Sequence, residues 1–201
     1  MNDIPFGTWV IGERLRRLAR VTAVGLVLAS VAGCSMQPGP VPAPPDHGYG
    51  GMVIEAGDTF TDAFETFFVK TDQPITITKV ELIDTPPQMQ LVDVVVAGEK
   101  RESNFQFEPV YPPVEHNTGA LVPAVGATLL PLEQQGEGLM GYTLVMAIKI
   151  TEPGKWVRGG YHLEYELDGV TYGWDATAEI TICTPEFVDD DGECLMEDET
   201  E

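Results

Sequence analysis

Apolar and polar residues alternate with a period of two along several stretches of this chain, most clearly towards its end. No stretch shows a sustained, capped 3.6-residue apolar period. The clearest pattern is GYHLEYELDGVTYGWDATAEITIC. Tyr161, Leu163, Tyr165 and Leu167 share one face; His162, Glu164 and Glu166 share the other. Asp168-Gly169 then supplies the two-residue signal of a type I′ turn. After it, Val170, Tyr172, Trp174, Ala176, Ala178, Ile180 and Ile182 alternate with Thr171, Asp175, Thr177, Glu179 and Thr181. A two-residue turn sets Leu167 opposite Val170, Tyr165 opposite Tyr172 and Leu163 opposite Trp174. The two apolar faces then coincide, as directly opposed residues must. Residues 140–150, 75–83, 89–97 and 64–70 predict further strands, with an apolar phase shift at Lys79 of the kind a β-bulge produces. Residues 52–56, 104–108 and 127–130 complete the set.

Seven or eight short strands separated by Gly/Pro turns predict an all-β chain, an antiparallel β-sandwich of immunoglobulin-like type. Residues 51–184 form this domain and 185–201 an acidic tail. Within the domain, 98–138 is a long strand-poor insertion.

The N-terminal quarter is organised differently. Arg14, Arg16, Arg17 and Arg20 precede an uncharged, mostly apolar run from Val21 to Ala32, and Gly33-Cys34 follows. These are the parts of a secretory signal. The run is too short for a spanning helix, which takes ~20 apolar residues. Val31-Ala32-Gly33-Cys34 resembles the lipobox of bacterial lipoproteins. The resemblance covers residues 14–34. It implies that 1–33 are removed and that Cys34 is acylated and holds the mature chain on a membrane, with the domain on the extracytoplasmic side. Each buried CH₂ adds ~0.8 kcal/mol of membrane affinity, so several chains on one residue anchor stably. Five prolines lie between Met36 and Pro45. Proline fixes φ and lacks an N–H, so 34–50 reads as a lipidated cysteine followed by a semi-rigid extended linker.

Charge narrows the partners. The chain has 11 Lys and Arg against 32 Asp and Glu. Residues 1–33 hold four of the former and two of the latter, which leaves 7 and 30, a mature net charge of −23. Nucleic acid, which demands basic contacts, is excluded as a partner. Anionic lipid does not attract such a domain either, so membrane contact is expected through the lipid anchor. With Cys34 acylated, Cys183 and Cys194 remain and are expected to pair outside the cytoplasm.

Candidate chemistry is sparse. The mature chain has only Ser35 and Ser103, neither in a nucleophile elbow, and no free thiol. No phosphate-binding loop or dinucleotide fingerprint is present. No catalytic residue and no cofactor are expected. His162, beside Glu164 on its strand and opposite Asp175, forms a one-histidine, two-carboxylate donor set for a divalent ion. PGKWVRGGYHLEYELDGVTYG is similar to the closing hairpin of periplasmic copper-carrier sandwiches, a resemblance of architecture alone. Around Gly192 the acidic residues miss the EF-hand pattern at its first and last ligand positions. In the insertion, Phe105, Phe107 and Tyr111 beside Pro112-Pro113 offer an apolar contact surface for a cell-envelope protein or polymer. The expected function is a membrane-anchored, non-catalytic binding lipoprotein. Its rivals are extracytoplasmic metal or solute capture by the outer face of the 161–176 hairpin, and hydrolysis by a carboxylate pair.

Overall fold

A computed structural model describes residues 38–45, 47–63, 66–98, 107–113, 121–135 and 141–194. The compact domain spans Met36–Glu201. Among the described residues ten strands run in chain order: β1 (His47–Val53), β2 (Thr59–Asp62), β3 (Thr66–Phe67), β4 (Ile75–Ile83), β5 (Met89–Ala97), β6 (Leu121–Pro123), β7 (Thr128–Leu129), β8 (Tyr142–Ile150), β9 (Lys155–Leu167) and β10 (Val170–Cys183). They form two five-stranded sheets. One has the order β1-β10-β9-β4-β7; the other has β2-β8-β5-β6, with β3 also paired to β8. If β2, β4, β5, β8, β9 and β10 stand for strands B to G, the sheets read B-E-D and G-F-C, the immunoglobulin arrangement.

The β9–β10 hairpin has the register its pattern predicts: Leu167 opposite Val170, Tyr165 opposite Tyr172, Leu163 opposite Trp174. Its turn residues Asp168 and Gly169 have φ of 52° and 76°, as type I′ geometry requires. The bulge expected at Lys79 is also present, as a register shift between Ile77 and Lys79 against β9. Tyr161, Leu163, Tyr165, Ile180 and Ile182 from one sheet meet Phe60, Leu144, Met146, Ile148 and Ile150 from the other in a single core.

Several expectations change. The 64–70 strand shrinks to Thr66–Phe67 within the described residues, while β2, immediately before it, carries the pairing to β8. Of 104–108, residues 104–106 lie outside the described residues, and Glu108 makes one antiparallel bridge, to Thr61. The sandwich is not wholly antiparallel, because β1 runs parallel to β10.

The described part of the proline-rich linker does not extend away from the domain. Pro38 bridges to Gly173, Val41 is buried, and the Val41 N–H donates to the Tyr165 hydroxyl at 3.0 Å. Proline excludes helix but does not exclude docking. An extended chain with few N–H groups lies well along a sheet edge whose hydrogen-bonding needs are partly met elsewhere. Gly39 permits the approach: a Cβ there would sit 1.9 Å from the Tyr165 hydroxyl.

Beyond Tyr161 the β9 pattern changes phase. A bulge between Thr177 and Ile180 of β10 puts Arg158 opposite Ile180, so Arg158 and not Val157 faces the core. Gly160 makes this possible, since a Cβ there would lie 2.1 Å from the Ala176 carbonyl oxygen. Arg158 is fully buried, and its Nη2 lies 2.8 Å from Oδ2 of Asp62, also fully buried, on β2 of the facing sheet. Removing one partner of such a pair strands a charge in a low-dielectric interior and costs about 3–5 kcal/mol, whereas replacing both by apolar residues is near neutral. Asp62→Leu alone is therefore expected to lower the melting temperature sharply. Asp62→Leu with Arg158→Met should recover most of that loss, as differential scanning calorimetry of both variants would show.

Candidate functional site

The outer face of the β9–β10 hairpin is where the sequence concentrates polar chemistry. Antiparallel pairing places His162 of β9 opposite Asp175 of β10 on one side and Glu81 of β4 on the other. The His162 Nδ1 lies 2.5 Å from Asp175 Oδ1, and its Nε2 lies 3.4 Å from Glu164 Oε1. Lys79 Nζ donates to Glu81 Oε1 at 2.7 Å and sits 3.5 Å from Glu164 Oε1. The contact with Glu81, joined by the charge of Glu164, raises the Lys79 pKa above its ordinary value.

The three residues expected to bind metal are thus brought together, but not as a metal site. Their carboxylates face different ring nitrogens, which diverge from one another, so no single ion is reached by the ring and both acids. A lysine ammonium already accompanies Glu164. Among the described residues no group of three or more His, Cys, Asp or Glu is placed to hold a metal ion. The cluster is a chain of surface ion pairs across β4, β9 and β10, of a kind that adds little stability.

The apolar contact surface expected in the insertion is also revised. Phe105 lies outside the described residues. Phe107 packs against the main core. Tyr111 packs with Val95 and Leu121 over Ala63, Ala97 and Val145, a second apolar cluster. The segment is held by Thr61: its N–H donates to the Glu108 carbonyl at 2.8 Å, the Glu108 N–H returns a bond at 3.1 Å, and the Thr61 hydroxyl donates to the Val110 carbonyl. Tyr111 donates to Asp93 Oδ2 at 2.6 Å. Phe107 and Tyr111 therefore face the sandwich and seal it. Tyr111 explains why Val145 of β8 is buried although it points away from the main core.

A shallow groove of about 410 Å³ lies where β4 turns into β5, lined by Val80, Leu82, Pro86, Met89 and Leu91 with Glu81. Both flanking strands carry a bulge, between Ile77 and Lys79 and between Leu91 and Asp93. Bulges and charges of this kind discourage a further strand from adding to an edge.

The expected disulfide forms between Cys183 and Cys194. Inside the loop it closes, the Asp189 carboxylate accepts the N–H groups of Asp191 and Glu193 at 3.0 and 2.7 Å. That carboxylate caps a turn and points inward along it, consistent with the failed EF-hand pattern. The Arg158–Asp62 pair was not anticipated. Its available signals were an acid in phase with Phe60 and an arginine directly before Gly159-Gly160. The abundance of acids hid the first.

No protein-family model and no curated protein sequence matches this chain. Its function is read from its own residues.

Two outcomes test these assignments. Zinc or nickel should shift the melting temperature of wild type and of His162→Ala alike, and a rise that depends on His162 would reinstate a metal site. Burial, then the hydrogen bond to Asp93, raises the Tyr111 pKa. A tyrosine raised in the folded state but ordinary when unfolded stabilises fully below pH ~10 and loses that contribution as pH climbs further. Melting temperatures measured upward from pH ~10 should thus fall less steeply in Tyr111→Phe than in wild type.

Proposed function

We propose that this chain is a lipid-anchored cell-envelope lipoprotein whose sandwich domain binds rather than catalyses, on the extracytoplasmic side of a bacterial membrane. One observation carries the reading. A basic segment, a short apolar run and Val31-Ala32-Gly33-Cys34 end just before the compact domain begins at Met36. Among the described residues no helix is long and apolar enough to cross a membrane, and acyl chains on Cys34 supply attachment by another route. The disulfide between Cys183 and Cys194 suits an oxidising compartment. Binding is favoured over catalysis because neither serine of the mature chain, Ser35 or Ser103, lies in a nucleophile-elbow sequence. Its one histidine on the hairpin is engaged by carboxylates on both sides. The partner is a cell-envelope protein or polymer, and the net charge directs it to neutral or basic surfaces.

Cys34→Ala is the decisive variant. Expressed in a bacterial host fed radiolabelled palmitate, the wild-type protein should take up label and sediment with membranes. The variant should do neither. Intact-mass analysis of native material that found residues 1–33 retained and the Cys34 sulfur free would sink the proposal.

A further inference from the structure

The strap from Pro38 to Val53 has a direction. It bridges first to Gly173, near the hairpin turn, and runs parallel to β10 until Val53 lies beside Cys183. Its start is held by the buried Val41 side chain and by the bond from Val41 N–H to the Tyr165 hydroxyl. Three residues lie between Cys34 and Pro38, four Cα steps that reach about 14 Å at most when fully extended. The turn at Asp168-Gly169 is four residues from Gly173, about 13 Å along the strand. Cys183, at the other end of β10, is ten residues from Gly173, about 33 Å away.

We infer that the docked strap orients the domain on the membrane, with the Asp168-Gly169 turn facing the bilayer and the Cys183–Cys194 end pointing outward. The inference rests on the reading of Cys34 as the lipid anchor. A leash free up to Val53 would be nineteen residues long and reach roughly 60 Å, enough for the domain to present any side. Docking sets the first fixed point four Cα steps from Cys34, at Pro38 near the hairpin turn.

Strand directions sort the connections into two poles. Antiparallel pairing sets Thr76 beside Glu166 and Ala97 beside Thr143. The 68–74 connection therefore joins the hairpin turn at the membrane-facing pole. Met89 lies beside Ile150, and the Gly154 carbonyl accepts the Thr184 N–H at 2.9 Å. The 84–88 and 151–154 connections therefore join the disulfide loop at the outward pole. That pole carries Asp84, Glu152, Glu186 and Asp189, and it is the surface a partner approaching from outside would meet.

Full-length lipidated protein in phosphatidylcholine vesicles containing a headgroup-nitroxide lipid provides the test. A fluorophore is placed at the turn with Thr171→Cys, or at the outward pole with Glu152→Cys. Loss of emission is expected at 171 and not at 152. Val41→Asp, which undocks the strap, should abolish that difference while the far-ultraviolet spectrum of the sheets and flotation with vesicles persist. Equal quenching at both positions in protein that floats and carries acyl chains would overturn the orientation and leave the anchor standing. So would a difference that survives Val41→Asp. Protein that neither floats nor carries acyl chains overturns both.

Discussion

Among the described residues, one fully buried ion pair spans the two sheets of the sandwich. Arg158 and Asp62 face each other from opposite sheets with neither side chain exposed. Two charges in such an interior tolerate little misalignment, because their attraction offsets their desolvation only at close range. The pair therefore ties the register of β2 to that of β9. In immunoglobulin domains the equivalent strands B and F are joined by a disulfide. Here the disulfide lies elsewhere, between the end of β10 and the segment after it. The inter-sheet tie is electrostatic, and it requires the β10 bulge and Gly160 to turn Arg158 inward.

Around that tie, coverage of edges and faces decides the rest. The strap and β1 lie along the free edge of β10. Segment 107–113 lies against β2 and carries Tyr111 over the outer face of β8. Where β4 turns into β5, two bulges and flanking charges interrupt the strands. Segments that appear in the sequence as linker and loop thus serve as lining. The surface they leave is acidic, and the hairpin histidine on it is enclosed by carboxylates.

The sequence by itself determined the closing hairpin with its register and turn, the bulge at Lys79, strands 75–83 and 89–97, the pairing of Cys183 with Cys194, and the neighbourhood of His162, Glu164 and Asp175. All are local: a period of two, a two-residue turn or a short span of chain specifies each of them. The tertiary structure alone decided the rest. Only packing shows that a proline-rich segment docks, that Tyr111 faces inward, and that the two ring nitrogens of His162 are approached from different directions. The Arg158–Asp62 pair lies across 96 positions of chain, and one of its members faces inward only through a bulge in a neighbouring strand. Alternation assigns a face only while the ladder is regular. Where an extra residue shifts the phase, the side a residue faces is set by the strand beside it, and that neighbour is chosen by the fold.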